Sequence, residues 1–486
     1  MSLLYSPLEP AAVAQLMSTS YWYSRFIFER GLALIYLVAF IVAVNQFVPL
    51  LGARGLTPAA QFVGEVPFRA SPSLFYLRAT DAAFRAAAWA GVVLALLALS
   101  GLVQRRSGLG AGLVWGLLWI LYLSFVNAGQ TFYAFGWESL LCEVGFFTIF
   151  AGASDTPPQA LLNWIYRWTL FRLMFGAGLI KLRGDPCWRD LTCLDYYFET
   201  QPMPNPLSWY FHWLPKRVLH GGVAVNHVVE LIVPFGYFLP QPFAGIAGLI
   251  TIAFQGMLIA SGNLSWLNYL TIVIAFTTLD DRFLSWLPVT RPSLRAEPGA
   301  QRLVTYGLAA LVALLSVPPV LNMLSPGQVM NSSFNPLQIV NTYGAFGSVT
   351  KERFEIVIEG TNDATLTDAT RWQEYEFKGK PGDPAHRPPL VAPYHMRLDW
   401  LMWFAAMGSA QDEPWFSGVI LHLLEGDREL IGLLRVNPFP DRAPQWVRAS
   451  LYRYRFTTPA EHAATGLWWH RERVADYFPA ARLKAQ

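Results

Sequence analysis

Charge is what this sequence has least of. Asp, Glu, Lys and Arg supply 14% of its 486 residues, against 53% hydrophobic residues and a mean hydropathy of +0.31. A soluble globular chain is nearer a quarter charged, so most of this one is not solvated by water. The formal net charge is only +3 and no dense basic run occurs, which gives no basis for nucleic-acid binding. Lysine is scarcer still, confined to Lys181, Lys216, Lys351, Lys378, Lys380 and Lys484, a usage in keeping with a GC-rich bacterial genome. Cysteine is almost missing. Cys142 falls inside an apolar segment and reads as a small buried hydrophobe. Cys187 and Cys193 flank a short segment and either close a disulfide, if that loop faces an oxidising compartment, or remain free thiols. The first thirty residues lack the ordered basic start, apolar run and small-residue site of a cleavable leader. Zinc-ligand spacing, a Gly-x-Ser-x-Gly elbow and a dinucleotide fingerprint are also lacking, so neither a metal nor a cofactor is expected.

Long apolar stretches are plentiful. Candidates for crossing about 30 Å of hydrocarbon are 31–51, 86–103, 109–127, 137–153, 161–182, 221–239, 243–260, 264–279 and 303–323. The expected fold is a polytopic α-helical membrane protein of eight or nine transmembrane helices, over residues 1–324, with an extramembrane loop at 183–220. Nine spans place Arg25, Arg30, Arg105, Arg106, Arg282, Arg291, Arg295 and Arg302 on one side, the cytoplasmic one. The opposing Arg54, Arg69, Arg78, Arg85, Arg183, Arg189, Lys216 and Arg217 make that bias weak. The C-terminus then lies outside.

Beyond residue 325 the pattern is that of a soluble α+β domain, 325–486. Phe354, Ile356 and Ile358 alternate with charged neighbours as in a half-buried strand, with 372–377 as its partner. Lys380-Pro381-Gly382-Asp383-Pro384 marks a turn, 396–407, 415–425 and 427–435 read as short helices, and 446–456 as a strand.

Ionisable residues inside apolar spans cost several kcal/mol and so pair, face the bundle interior or mark function. Glu138 and Glu143 lie on the fourth span, Arg167, Arg172 and Lys181 on the fifth, His227 and Glu230 on the sixth. Glu143 and Arg172 suit an interhelical pair. His227 and Glu230, three apart, share a helix face, so the carboxylate could orient the imidazole. Lys181 ends Gly176-Ala177-Gly178-Leu179-Ile180-Lys181, where small residues admit a close neighbour. It either snorkels to the interface or, in a dry pocket, serves as a base. The loop 183–220, with Pro202, Pro204 and Pro206 at alternate positions and Trp209-Tyr210-Phe211-His212-Trp213, is expected to be extended. It would act as a binding surface or as an interfacial anchor.

Several strings are specific enough to resemble a family. They include Arg30-Gly31-Leu32-Ala33-Leu34-Ile35-Tyr36, Trp137-Glu138-Ser139-Leu140-Leu141-Cys142-Glu143, Arg167-Trp168 through Lys181-Leu182, and Tyr196 to Pro202. Asn341-Thr342-Tyr343-Gly344, Val349 to Arg353, Ile358 to Thr361, Pro393-Tyr394, Leu398-Asp399-Trp400, Asn437 to Asp441 and Leu451 to Phe456 continue the series. Along nearly its whole length the chain resembles the lipase maturation factor family. The resemblance implies a membrane-embedded factor that helps secreted lipases reach their active fold, with lipase-type clients and membrane lipid as partners. Its C-terminal domain would face the lumen of the endoplasmic reticulum or, in a bacterium, the outside of the plasma membrane. Asn263-Leu264-Ser265 and Asn331-Ser332-Ser333 match the glycosylation pattern on that face. A shorter stretch, Gly176 to Lys181 followed by Trp188, is similar to vitamin K-dependent carboxylase-like transmembrane domains. That likeness implies an intramembrane enzyme with Lys181 as base, His227 and Glu230 as helpers, and a quinone or lipid as cofactor.

Overall fold

The computed structural model describes residues 20–484; residues 1–19, on which the reading of the leader largely rests, lie outside the described residues. Among the described residues six helical stretches are long and apolar enough to cross a membrane: Trp22–Leu51, Asp81–Ser100, Gly108–Ala128, Lys216–Phe238, Phe243–Ser261 and Gly299–Leu324. Three further segments expected to span are helical but differ in kind. Gly136–Thr148 has 13 residues, about 20 Å of helix, and is buried by its neighbours along almost its whole length. Leu267–Thr278 is also short, whereas Ala160–Arg183 has 24 residues but carries charges. In chain order these helices are α1 (Trp22–Leu51), α2 (Asp81–Ser100), α3 (Gly108–Ala128), α4 (Gly136–Thr148), α5 (Ala160–Arg183), α6 (Lys216–Leu231), α7 (Phe243–Ser261), α8 (Leu267–Ala275) and α9 (Gly299–Leu315).

Local chemistry fixes the ends. Thr80 and Ser107 accept the amides of Ala83 and Gly110 and so cap α2 and α3, and Gly101, at φ +71°, closes α2 in a left-handed turn. The most apolar window of α1 is 61% buried and that of the α9 segment 28%, which makes α1 a central helix and α9 a peripheral one. Glycines set the closest approaches. A Cβ on Gly178 of α5 would lie 2.7 Å from Leu231 of α6, and one on Gly176 would lie 2.5 Å from the backbone oxygen of Tyr343.

The two ends of the bundle are distinct. At one, Arg25 donates to the Ser154 and Thr156 carbonyls, both at 2.9 Å, the Asp281 amide to Ser20, and Arg295 pairs with Asp155. At the other, the C-terminal domain is seated. Its strands, in chain order, are β1 (Ser332–Ser333), β2 (Asn341–Thr342), β3 (Arg353–Thr361), β4 (Gln373–Glu374), β5 (Glu376–Phe377), β6 (Leu434–Val436), β7 (Trp446–Phe456) and β8 (Trp469–Ala481). An antiparallel sheet in the order β4-β3-β7-β8 is its frame, with β3 and β7 paired from Arg353↔Tyr454 to Thr361↔Trp446. Helices Arg397–Ala405 and Pro414–Glu425 add a helical layer. The chain is thus a polytopic helical membrane protein carrying a strand-containing soluble domain.

Two local expectations are corrected. Segment 427–435 is helical only at Arg428–Ile431 and then enters β6, because Asp427 caps a single turn and Gly432 ends it. The loop 183–220 is largely helical, with turns at Pro186–Arg189, Leu194–Thr200 and Ser208–His212; the proline-rich stretch between the last two is not helical but bends and turns.

Candidate functional site

The charges of α4 and α5 meet the C-terminal domain rather than one another alone. Glu143 and Arg172 form the expected interhelical ion pair, both fully buried. Four further donors converge on the same carboxylate. These are Thr169 Oγ1 at 2.8 Å, the Asn341 amide at 2.9 Å, Asn341 Nδ2 at 3.0 Å and the Tyr343 hydroxyl at 2.7 Å. Arg172 in turn donates to the Asn341 carbonyl. Every lone pair of the carboxylate is therefore engaged, which is the condition under which a buried ion pair is tolerated.

Glu138, about a turn and a half nearer the end that carries the C-terminal domain, does the same for a second segment. Its carboxylate receives Arg397 Nη1 at 2.8 Å and the Tyr122 hydroxyl, while Arg397 also donates to the Phe132 carbonyl at 2.7 Å and lies 3.4 Å over the Tyr133 ring. His395 Nδ1 comes within 3.5 Å of Glu138, inside a box of Phe135, Trp137, Trp266 and Trp400 rings. Burial pushes that imidazole down to about 4, so the contact is not an ion pair at neutral pH. Gln46 of α1 clamps the same segment, donating to the His395 carbonyl at 2.6 Å and accepting the Arg397 amide at 3.0 Å.

A third dock joins the loop 183–220 to the sheet. Arg353 of β3 is fully buried, held by Glu355 (Nε–Oε1 2.8 Å), and its remaining donors reach the carbonyls of Glu199 (3.0 Å), Gln201 and Pro202 (2.9 Å). Lys380 closes the group at 2.7 Å from Glu355. From the loop side, Glu199 accepts the Phe456 amide at 2.6 Å, and Trp209 and Trp213 donate to the Thr457 carbonyl. Burial raises the Glu199 carboxyl to about 7 and lowers His212, 3.8 Å away, to about 4.

The remaining sequence candidates fall elsewhere. Among the described residues Arg167 has no acidic partner; it donates to the Thr277 and Tyr237 carbonyls at 3.2–3.3 Å and so satisfies the ends of two helical segments. Lys181 is buried, not snorkelling, with its ammonium 2.6 Å from Glu230, 3.0 Å from Asn226 and 4.9 Å over the Trp188 ring. His227 does not meet Glu230; its Nε2 lies 2.9 Å from the Trp188 carbonyl. Cys187 and Cys193 are joined in a disulfide with Cα atoms 4.8 Å apart, and Cys142 is buried. Asn263 is fully buried, bridging Pro204 and Pro389 and accepting the Val391 and Ala392 amides, so it offers no glycosylation acceptor; Asn331 is exposed. Among the described residues one trio has metal-ligand spacing, Glu376, Asp383 and His386, with Arg435 4.0 Å from Glu376.

The arrangement is thus three sets of buried charges that fasten the C-terminal domain to the helices and to the loop 183–220. Residues 23–286 match the lipase maturation factor transmembrane domain, and residues 339–479 match the lipase maturation factor C-terminal domain. The chain belongs to the lipase maturation factor family. Lipase maturation factor 1 of Mus musculus is 44% identical over 97% of this chain and 89% of its own length, and that of Homo sapiens 44% identical over 97% and 90%. Lipase maturation factor 2 of Mus musculus is 29% identical over 94% and 83%. No solved structure matches the chain.

Family membership bears on what residue-by-residue reading missed. Asn341, Tyr343 and Arg353 all sit in strings that carry the family resemblance, yet nothing in their local pattern marks the first two as partners of membrane helices or Arg353 as a partner of the loop 183–220. Arg397, His395 and Glu355 gave no signal beyond being ionisable residues near aromatic ones, and Lys380 was marked only as part of a turn.

Proposed function

We propose that this lipase maturation factor family member is a membrane-embedded factor that brings secreted lipases or related hydrolases to their active fold. The observation that carries the reading is 44% identity along 97% of the chain to proteins named for that role. Client contact falls to the C-terminal domain, residues 325–486, together with the loop docked on it, where Leu207, Tyr210 and Trp213 are 44%, 50% and 39% exposed. The domain faces the periplasm or exterior of a bacterial plasma membrane, or the lumen if the host is eukaryotic. The Cys187–Cys193 disulfide, on the same end of the bundle, supports an oxidising compartment there.

The rival assignment, Lys181 as an intramembrane base with His227 and Glu230 as helpers, would require the Glu230 ion pair to open and His227 to leave the Trp188 carbonyl. The test is a deletion strain rescued with wild type, with Lys181→Met, or with Lys181→Met/Glu230→Leu, which removes both charges. The specific activity of the secreted lipase, per molecule, is expected to fall in the deletion and return with wild type and with the double variant. Unchanged activity per molecule in the deletion refutes the maturation role. Failure of a stably inserted double variant moves the chemistry to Lys181.

A further inference from the structure

A cavity of about 560 Å³ opens on the end of the bundle that carries the C-terminal domain, between residues 69–71, the stretch 126–139 and the segment 331–338. It adjoins the Arg397 dock through Tyr133 and Phe135, and the rest of its lining decides what it could hold. Five carboxamide residues surround it, Asn127, Gln130, Asn331, Asn335 and Gln338. Among the described residues no carboxylate does, and the single cation is Arg69, exposed at the rim. Without acids the cavity is no cation site, and one arginine is a poor match for a multiply charged anion.

Its hydrogen-bonding capacity is only partly used. Asn127 spends its Nδ2 on the Pro72 and Pro336 carbonyls, both at 2.9 Å, and Gln130 its Nε2 on Thr57 at 3.0 Å, leaving an amide oxygen on each. Tyr133, 1% exposed, is among the lining residues, its ring lying under the Arg397 guanidinium. Phe334, 47% exposed, adds an aromatic face.

Asn335 is spent on Val340 and Ile339, and Asn331 Oδ1 on Gly344, but the amide oxygens of Asn127 and Gln130, the Asn331 Nδ2 and the Gln338 amide stay unspent. With near-neutral charge and an aromatic wall they suit a ring that bears many hydroxyls on its edge and C–H groups on its faces. We propose that this cavity binds a saccharide. The inference stands apart from the client reading. The sugar comes either as a free oligosaccharide or as a chain attached to a protein.

The test uses the full chain, made in a bacterial host and placed in lipid nanodiscs without any glycoside detergent. Saturation-transfer NMR is run with chitobiose and mannobiose, then with a glycopeptide and the same peptide stripped of its sugar. Binding of a disaccharide, or of the glycopeptide but not the bare peptide, is expected; the first identifies a free sugar and the second a protein-borne one. Phe334→Ala, which removes the exposed aromatic face, and Gln338→Gly, which tolerates that residue's φ of +55°, should each weaken binding about 2- to 10-fold while leaving thermal unfolding unchanged. No transfer from any sugar at millimolar concentration, equal binding of both peptides, or binding untouched by either substitution overturns the proposal.

Discussion

Replacing Glu143 by Gln is the most direct test of how the two domains are held. The substitution keeps size and shape but leaves the Arg172 guanidinium, 1% exposed, without its counter-charge, and it turns one acceptor oxygen into a donor facing the Asn341 amide and the Tyr343 hydroxyl. Breaking one partner of a buried pair costs about 3–5 kcal/mol. The Asn341 amide donates directly to the lost carboxylate, so its hydrogen exchange reads the damage where it occurs. At about 1.4 kcal/mol per tenfold, local opening should rise by roughly two to three and a half orders of magnitude. The companion variant, Glu143→Leu/Arg172→Met, removes both charges and should restore much of the protection, giving a coupling energy of about 2 kcal/mol or more in a double-mutant cycle. The Thr361 amide in β3, far along the sheet, serves as the control. Exchange at Asn341 unchanged in the single variant would refute the view that this pair holds the 339–343 segment to the helices.

Arg353→Lys keeps the charge beside Glu355 but cannot span three carbonyls; about 2 kcal/mol should be lost at the dock, read as faster proteolysis near Pro202–Pro206. Glu199 has a folded value of about 7, above its ordinary 4.5, so the folded state holds the extra proton. Its contribution is full below about 4.5 and declines as pH rises to about 7; Glu199→Gln should flatten that window in a thermal-unfolding profile. Cutting the Cys187–Cys193 link, which spans a sequence separation of six, should destabilise the loop by about 2 kcal/mol, seen as a lower unfolding temperature under reductant that Cys187→Ala/Cys193→Ala reproduces.

Much of the membrane half was legible because hydrocarbon imposes a long apolar run on each exposed span. Residues 86–103 and 109–127 became α2 and α3 with small shifts at the capped ends. The rule weakens where protein replaces lipid: α4 is buried on nearly all sides and need not be long. Glu143 with Arg172 could be matched because adjacent helices bring them together, and the separation is 29 residues. Asn341 and Arg397 complete these clusters from 198 and 259 positions away, a distance no periodicity reports. His227 was misassigned because helix spacing allows the Glu230 contact without requiring it, and Lys181 claimed that carboxylate. In the C-terminal domain β7 announced itself by alternation, whereas most of β8 is exposed on both faces and carries no such pattern.

The span of 259 residues between Glu138 and Arg397 also has a consequence in time. A ribosome adding roughly 5–20 residues per second needs about 15–50 seconds to travel from one to the other. Through that interval α4 is already made, yet Glu138 has no cation to meet, and the box around His395 is only half built. The helices therefore assemble around vacancies shaped for a segment not yet synthesised, and the last part of the chain acts as the keystone of the first. Any stop codon ahead of Arg397 would remove more than the C-terminal domain: it would leave an unpaired acid within the bundle itself.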